Sequence, residues 1–361
     1  MRMVFRIWRR SSLLAAASAA ATVTLGLAPP VAAGATRIAS VPVAFQVKNV
    51  NRSAVACPSD GADYVLRGRL VGPYSVVKRS RLPAATLYLH GFAFGKFLWQ
   101  FPVAGYDYAA SQAEAGHVSV IVDRLGYDDS PGPNGDFTCL GAHADMAHQV
   151  IEQLKQGAYS ADGSAPVKFD RIAVAGFSVG GLLGQVVAYS FGDVDALIMF
   201  GWADQGSTEL GVQESVRQGA VCLQGGEPAE PGGPAGYAYY GQSREDFSAI
   251  AFLTADPSVI DTAFSLRNRD PCGDGGSLAT AIASDNANNG QLAMPILLVY
   301  GEKDALWENP PATAEKQRDM YTSSNDVSVL MVQGAGHITI LERAAPTVRR
   351  SVSKWLGARG F

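Results

Sequence analysis

The sequence has few of the residues from which metal and nucleic-acid sites are built. Its 361 residues include only five histidines and four cysteines. No two cysteines stand as C-x-x-C, and no histidine follows them at the interval typical of zinc ligands, which argues against a metal site. Acidic residues outnumber basic ones, giving a net charge of −4. Nucleic acids and anionic surfaces are therefore not expected as partners, because phosphates require a basic face.

Long apolar runs and internal repeats are also missing after residue 33. Their absence argues against a repeat architecture and predicts that this part of the chain is soluble, without stable membrane insertion. Hydrophobic residues nevertheless make up 47% of the sequence, which supports a large buried core. The roughly 330 residues that follow position 33 fit one core with an insertion.

The N-terminal segment has the features of an export signal. Four arginines precede the apolar run 13–28, and Val31-Ala32-Ala33 provides small residues for cleavage. We expect residues 1–33 to be a signal peptide, whose removal leaves a secreted protein (extracellular or in the cell envelope) with a net charge of about −8. A membrane anchor is the alternative, but the run is shorter than the roughly 20 residues of a spanning helix. The pair Arg9-Arg10 leaves twin-arginine export open.

Apolar runs alternate with helix-length segments through most of the chain. The runs are 85–89, 118–122, 172–175, 196–200, 296–300 and 327–332, and the segments are 106–115, 141–156, 179–190, 311–323 and 338–356. Short, nearly continuous apolar runs are typical of strands buried on both faces of a parallel sheet. Residues 41–47 and 64–72 alternate instead, which predicts an antiparallel hairpin at a sheet edge. The fold class is therefore α/β, with a mostly parallel, doubly wound sheet.

The alternation breaks between residues 202 and 292. This segment contains two cysteines and the glycine- and proline-rich stretch 225–234, which six aromatic residues follow. About 90 residues are too many for a connection between adjacent strands, so we predict a cap inserted between core segments 34–201 and 293–361. A disordered loop is the alternative, against which the aromatic residues and cysteines argue.

One serine has the surroundings of a catalytic nucleophile. The sequence Gly176-Phe-Ser178-Val-Gly180 matches G-x-S-x-G, a pattern that composition alone produces in roughly one such glycine-rich chain in three. Here a predicted strand, 171–175, precedes the serine and a helix, 182–190, follows it. Such a strand, turn and helix would expose Ser178 at the end of the sheet and point helical N–H groups towards it.

A nucleophilic serine needs a base, and His337 is our candidate. It follows the last predicted strand in a glycine-containing turn, at a strand end. His117, His143 and His148 begin a strand or belong to a helix, so structural or surface roles are expected for them.

The base needs a carboxylate, for which two aspartates compete. Asp304 follows strand 296–300, and Asp204 follows strand 196–200. We favour Asp304, because Asp204 lies where the cap begins. In this position Asp304 would orient His337 and stabilise its cation.

These residues resemble the α/β-hydrolase family from about Ala84 to the C-terminus. The order serine, aspartate, histidine is that of the family, as are Leu89-His90-Gly91-Phe92 after the third strand and the segment 123–133 after the fourth. The resemblance implies an oxyanion hole made by the backbone N–H groups of Phe92 and Val179, with His90 either bracing the loop or serving as a turn residue. The chain departs from the family at Asp128, where many relatives have glycine, and in its cap.

The cysteines are expected to form two disulfides, because their number is even in an exported chain. Three pairings are possible. The topology implied by the resemblance favours Cys57 with Cys139, which would tie the edge hairpin to the core. It leaves Cys222 with Cys272, which would staple the cap to itself.

The predicted function is that of a secreted serine hydrolase that cleaves a carboxylic ester of short to medium chain length, or a lactone. No metal or organic cofactor is required, and the partner is a small-molecule acyl substrate. Phe94, Phe97 and Trp99 are the predicted substrate-binding residues, unless they belong to the core. A serine nucleophile also argues against epoxide opening and halide removal, for which the resemblance implies a carboxylate.

Three other functions remain open from the sequence. A peptidase resembling proline iminopeptidases would need a carboxylate for the free amine, which Glu209, Glu214 or Glu245 could supply. An acyltransferase would pass the acyl group to an alcohol instead of water. A noncatalytic binding protein would be expected to lack part of the triad, and all three members are present.

Overall fold

A nine-stranded sheet forms the centre of the computed structural model, which describes residues 36–361. The strands are β1 (Ile38–Lys48), β2 (Asp63–Pro73), β3 (Arg81–Leu89), β4 (Ser119–Val122), β5 (Ser160–Ala161), β6 (Lys168–Phe177), β7 (Ala196–Phe200), β8 (Tyr237–Ala238), β9 (Asp270–Pro271), β10 (Ile296–Gly301) and β11 (Val327–Val332). Strands β8 and β9 form a separate pair. The helices are α1 (Tyr74–Val77), α2 (Tyr108–Glu114), α3 (Leu140–Gln156), α4 (Val179–Phe191), α5 (Glu209–Cys222), α6 (Arg244–Ala251), α7 (Pro257–Leu266), α8 (Cys272–Asn288), α9 (Pro310–Asp319) and α10 (Ala345–Gly357).

The sheet order is β11-β10-β7-β6-β3-β4-β2-β1-β5. Strands β4, β3, β6, β7, β10 and β11 are parallel, whereas β2, β1 and β5 add an antiparallel end. The predicted fold class is therefore confirmed, including the hairpin, which pairs Ile38 with Pro73 through to Lys48 with Asp63. The two-residue strand β5 lies outside this hairpin, at the edge of the sheet.

Helices cover both faces of the sheet. Buried residues of α3, α4 and α9 pack on one face, and those of α2 and α10 pack on the other. The middle strands are buried along their length, which explains why their sequences are continuous apolar runs. Helix α4 is buried almost all round because α8 of the cap covers the side that faces away from the sheet.

The segment 202–292 folds into four helices and the small β8–β9 pair. Helix α6 begins with a capping box, in which Ser243 and Asp246 bond reciprocally, and α7 has a proline in its first turn. Phe247 and Ala251 of α6 and Val259 and Ala263 of α7 are buried in the same cluster as the core. This region is therefore ordered structure, as the aromatic residues suggested.

Both expected cysteine pairs lie at disulfide-bonding distance. Cys57 is bonded to Cys139, so the loop between β1 and β2 is tied to the start of α3. Cys222 is bonded to Cys272, so the end of α5 is tied to the start of α8 within the cap.

The predicted helix 338–356 begins later than expected. Helix α10 starts at Ala345, and residues 338–344 form turns instead. The reason is Pro346 in the first turn of α10, whose missing N–H and ring disfavour a helical turn before it.

Within residues 36–361, none of the helices combines the length and apolar character that crossing a bilayer requires. The expected signal peptide, residues 1–33, lies outside the described part of the chain.

A buried polar network joins cap helix α8 to core helix α4. Gln185 and Tyr189 of α4 donate to the two carboxylate oxygens of Asp285 at 3.0 and 2.8 Å. The side chain of Asp204, which follows β7, accepts a bond of 2.7 Å from Gln317 and shares the donor Gln185 with Asp285. Burial raises the pKa of both carboxyls, and the neighbouring Asp204 raises that of Asp285 well above its usual range. Asp285 is accordingly the carboxyl that retains a proton.

We predict that Asp285→Asn stabilises the protein at pH 8. Because the pKa of Asp285 is raised in the folded state, folding must bind a proton that the unfolded chain has lost above its ordinary pKa of 3.8. This cost grows as the pH rises, and an asparagine avoids it because its side chain does not ionise. Urea unfolding at pH 5 and pH 8 should give a gain of about 1–3 kcal/mol that is larger at pH 8.

The control is Asp162→Asn, which alters an exposed carboxylate and should leave stability at both pH values unchanged. A destabilised Asp285→Asn protein, or a gain independent of pH, would contradict the proton assignment.

Candidate active site

Ser178 lies on a strained turn between β6 and α4. Its backbone has φ 52° and ψ −125°, a combination that costs a non-glycine residue on the order of 1–3 kcal/mol. The turn is held because Ser178 N–H donates to the carbonyl of Phe200 at 2.7 Å, and the Ser178 carbonyl accepts from Gly181 N–H at 2.7 Å. The sequence therefore places this serine at the sheet end with a fixed backbone.

Two glycines of the motif allow the chain to pass this close to itself. A Cβ atom on Gly176 would lie 2.0 Å from the carbonyl oxygen of Gly180. A Cβ atom on Gly180 would lie 2.4 Å from the carbonyl oxygen of Leu89. Any side chain at either position would displace the turn, so both glycines of G-x-S-x-G are sterically required here.

His337 and Asp304 are brought together by the loops after β11 and β10. The Nδ1 atom of His337 lies 2.7 Å from Oδ2 of Asp304, and both residues are buried. The other oxygen of Asp304 accepts the N–H of Leu306 at 3.0 Å. With a carboxylate at Nδ1, the neutral imidazole carries its proton there and leaves Nε2 free to accept one.

Glu342 holds the histidine loop, a role that the sequence did not indicate. It is fully buried, and one carboxylate oxygen accepts the N–H groups of Gly336 and Leu253 at 3.1 and 2.6 Å. The other oxygen accepts the N–H of Thr254 at 2.6 Å. Glu342 therefore binds the residue before His337 to the cap segment after α6. In the sequence it looks like an ordinary polar residue of a helix.

The loop after β3 carries the predicted oxyanion amide of Phe92. His90 is buried beneath it, and its Nε2 accepts the N–H of Arg124 at 3.1 Å. Its Nδ1 is 2.9 Å from the carbonyl of Gly91 and donates to it. Burial, with the nearby Arg124 cation, holds the pKa of His90 well below its ordinary value, so the ring stays neutral. His90 thus has the contacts of a brace.

The second predicted oxyanion amide belongs to Val179, the first residue of α4. An N–H group at this position has no carbonyl of its own helix to bond. The same helix end directs its positive dipole towards Ser178.

A cavity that is partly open to solvent adjoins these groups. Ser178, His337, Phe92 and Val179 all line it. Its apolar lining combines core and cap residues, namely Phe94, Phe177, Trp202, Phe247, Ile250, Leu278, Ile282, Leu306 and Trp307. Among the described residues, no carboxylate lines this cavity.

The predicted aromatic substrate-binding set is only partly in this cavity. Phe94 lines it, whereas Phe97 and Trp99 do not. Trp99 is fully buried against Tyr88 and Phe200 in the core, and Phe97 packs on the far side of Phe94. Neither Phe97 nor Trp99 therefore reaches the cavity beside Ser178, because Trp99 is part of the core and the half-buried Phe97 packs outside the cavity.

The other histidines make contacts away from this cavity. His117 lies 2.8 Å from both the Phe361 carbonyl and the Ser353 hydroxyl. His143 lies 3.1 Å from Asp274, and His148 lies 2.6 Å from Asp193. These contacts agree with the structural roles expected for the three residues.

The unusual Asp128 is explained by its backbone. It has φ 40°, a left-handed conformation that glycine adopts at little cost and aspartate tolerates better than most residues. The turn can therefore accept an aspartate at this position.

Comparison with known proteins identifies the family. A model described as the alpha/beta hydrolase family matches residues 87–350. A comparison of the sequence with curated proteins gave no match.

Solved structures share the fold at low identity. A thermophilic esterase from Thermogutta terrifontis is 18% identical, with a TM-score of 0.59. The alignment covers 87% of this chain and 98% of the esterase chain. A hydrolase from Pseudomonas aeruginosa is 18% identical, with a TM-score of 0.56 and coverages of 84% and 98%. A monoacylglycerol lipase from Paleococcus ferrophilus is 16% identical, with a TM-score of 0.55 and coverages of 76% and 93%.

The family match spans most of the chain, and the mostly parallel sheet has the architecture that the match implies. The chain belongs to the alpha/beta hydrolase family.

Proposed function

We propose that this protein is a serine hydrolase that cleaves carboxylic esters with an apolar acyl group. The observation that carries the proposal is the pairing of His337 with Asp304 at 2.7 Å beside the cavity that Ser178 also lines. A serine hydroxyl beside an imidazole that a carboxylate orients can be activated for attack on a carbonyl.

The reaction proceeds in two halves. In the first, the Ser178 hydroxyl oxygen attacks the ester carbonyl while Nε2 of His337 takes the hydroxyl proton. The tetrahedral intermediate collapses, the bond to the alkoxy group breaks, and the alcohol leaves with the proton from His337. In the second, water gives a proton to His337 and attacks the acyl-enzyme. Collapse of that intermediate returns the proton to Ser178 and releases the carboxylic acid.

The developing negative charge requires donors that are already in place. The N–H groups of Phe92 and Val179 serve this role, because both residues line the cavity beside Ser178. The N-terminus of α4 adds its positive dipole at the same point.

The cavity lining favours esters over amino-terminal peptides. A peptidase that binds a free amine needs a carboxylate in the pocket, and the three cap glutamates that could supply it do not line the cavity. Glu209 and Glu245 are exposed, and Glu214 is buried in an ion pair with Arg217. An apolar acyl chain fits the large aromatic and aliphatic lining.

The two disulfides are compatible with export to an oxidising compartment. We infer that the protein acts outside the cytoplasm after loss of residues 1–33. No metal or organic cofactor enters the proposed reaction.

The first prediction for this function concerns Ser178. The oxidised mature protein should hydrolyse p-nitrophenyl esters at rates that depend on acyl length, and Ser178→Ala should reduce kcat by about 10⁴-fold or more. A fluorophosphonate should label the wild type at Ser178 and leave the variant unlabelled. An unlabelled wild type that turns over no ester would overturn the proposal, and labelling without ester turnover would direct it to acyl transfer or peptides.

The second prediction separates the two aspartates. Asp304→Asn should lower kcat by about 10⁴-fold, because an asparagine stabilises the wrong tautomer of His337. The matched control is Asp204→Asn, another buried aspartate directly after a neighbouring strand, for which kcat should stay within about threefold. Initial rates on one ester at saturating concentration distinguish them. A larger loss in the Asp204 variant would reassign the acid.

The third prediction concerns the acyl pocket. Leu278 lies on α8 and lines the cavity, so Leu278→Trp should reduce the rate on octanoate relative to acetate esters by about tenfold or more. Leu223→Trp, at an exposed cap position, is the matched control and should leave the ratio unchanged. Equal ratios in the two variants would place the acyl chain elsewhere.

A further inference from the structure

A buried aspartate of the cap reaches the loop that carries the Phe92 amide. Asp270 begins β9 and is only 1% exposed. Its Oδ1 accepts the N–H of Ala93, the residue directly after Phe92, at 2.7 Å. Aspartate and alanine are 177 residues apart in the chain, so this bond is made only by folding the cap onto the core.

A second bond fixes the other backbone group of the same alanine. The N–H of Asn268 donates to the carbonyl of Ala93 at 2.9 Å. Ala93 has φ 64°, a conformation that a non-glycine residue keeps only where its surroundings impose it. The cap segment 268–270 therefore binds both polar backbone groups of a strained residue.

These contacts place Phe92 between two restrained peptides. The peptide group between Gly91 and Phe92 carries the Phe92 N–H. Its carbonyl oxygen, that of Gly91, accepts a hydrogen bond from His90 at 2.9 Å. The next peptide contains the Ala93 N–H, which Asp270 holds. The direction of the Phe92 N–H thus depends on a core histidine on one side and a cap carboxylate on the other.

Asp270 is itself held rigidly. Tyr127 donates to the oxygen that Ala93 uses, and Gln218 donates to the other oxygen, both at 3.0 Å. Tyr127 in turn accepts from Arg124 at 2.8 Å. Strand pairing of β9 with β8 and the disulfide at Cys272 fix the same segment. Both the side chain and the backbone of Asp270 are therefore fixed in position.

We propose that Asp270 is a positioning residue for ester hydrolysis, which holds Ala93 so that the Phe92 N–H points at the developing oxyanion. The cap thereby completes the oxyanion hole as well as covering the substrate. This inference rests on the proposed function, because it assigns a role within the same reaction.

The role predicts a selective loss of catalysis. Substrate binding in the apolar cavity does not use Asp270, which is absent from its lining. An oxyanion donor acts on the transition state, so its displacement should lower kcat and leave KM nearly unchanged. For Asp270→Ala we expect kcat to fall about 30- to 100-fold, with KM within about threefold.

The experiment compares four variants of the oxidised protein, with rates expressed per fluorophosphonate-titrated active site. Asp270→Ala and Asp270→Ser both lose the bond to Ala93. The serine variant is used if the alanine variant does not fold, because serine keeps a polar group for Tyr127 and Gln218. Asp270→Asn keeps an acceptor for Ala93 and should recover kcat to within about fivefold of wild type. Ser277→Ala is the matched control, because it removes another bond from a core backbone N–H, that of Leu140, to a buried cap side chain.

The second readout is inhibition by an alkylboronic acid, which forms a tetrahedral adduct on serine and places an oxygen in the oxyanion hole. Its Ki should rise in Asp270→Ala or Asp270→Ser by a factor close to the fall in kcat, and remain unchanged in Ser277→Ala. Equal kcat and Ki in the Asp270 and Ser277 variants, or a loss confined to KM, would overturn the positioning role. A wild type that neither reacts with the fluorophosphonate nor hydrolyses esters would instead refute the proposed function itself.

Discussion

Three buried carboxylates hold the loops at the edge of the sheet where Ser178 lies. Loops leave backbone N–H groups without regular partners, and a buried carboxylate costs several kcal/mol unless it accepts hydrogen bonds. Asp304 accepts from His337 and a neighbouring amide, Asp270 accepts from the loop after β3, and Glu342 accepts from the histidine loop. Each carboxylate accepts loop N–H groups that would otherwise lack a partner, and these hydrogen bonds in turn offset the cost of burying the carboxylate. The geometry of the site depends on these bonds because Ser178, His337, Asp304 and Phe92 all lie beyond the ends of the strands.

Carboxylates of the cap and of the core each accept hydrogen bonds from the other part. Asp270 belongs to the cap and binds a core loop, whereas Glu342 belongs to the core and binds the amides of Leu253 and Thr254 in the cap. The Ile338 N–H, beside the histidine, also donates to the carbonyl of Ala251 in α6. Removal of the cap would therefore take two backbone donors from Glu342 and leave the N–H groups of Ala93 and Ile338 without their acceptors. In this protein the insertion supports the positions of the groups it covers.

The sequence predicted those parts of the structure that have a local pattern. Continuous apolar runs identified the parallel strands, and the neighbours of Ser178 identified the turn between β6 and α4, because both signals lie within a few residues. The positions of His337 and Asp304 followed from strand ends, which gather at one edge of a parallel sheet. Asp270 and Glu342 have no such signal, since their partners lie 177 and 89 residues away and an acidic residue in a helix or loop ordinarily faces solvent. Phe97 and Trp99 could not be placed for a similar reason. The direction in which an aromatic side chain leaves a turn depends on backbone angles, which composition does not encode.

The contrast between Asp304 and Asp204 shows how environment decides the use of equivalent positions. Both follow neighbouring parallel strands, β10 and β7, and both side chains are buried. Asp304 is adjacent to the loop after β11, accepts one amide, and has its second oxygen available for His337. Asp204 instead points towards α4 and α9, where it accepts from Gln185 and Gln317, and burial raises its pKa. A carboxyl whose charge is disfavoured would be a poor partner for an imidazole that becomes cationic, as the proposed mechanism requires of His337. The contacts of each side chain, rather than its position after a strand, therefore distinguish the two aspartates.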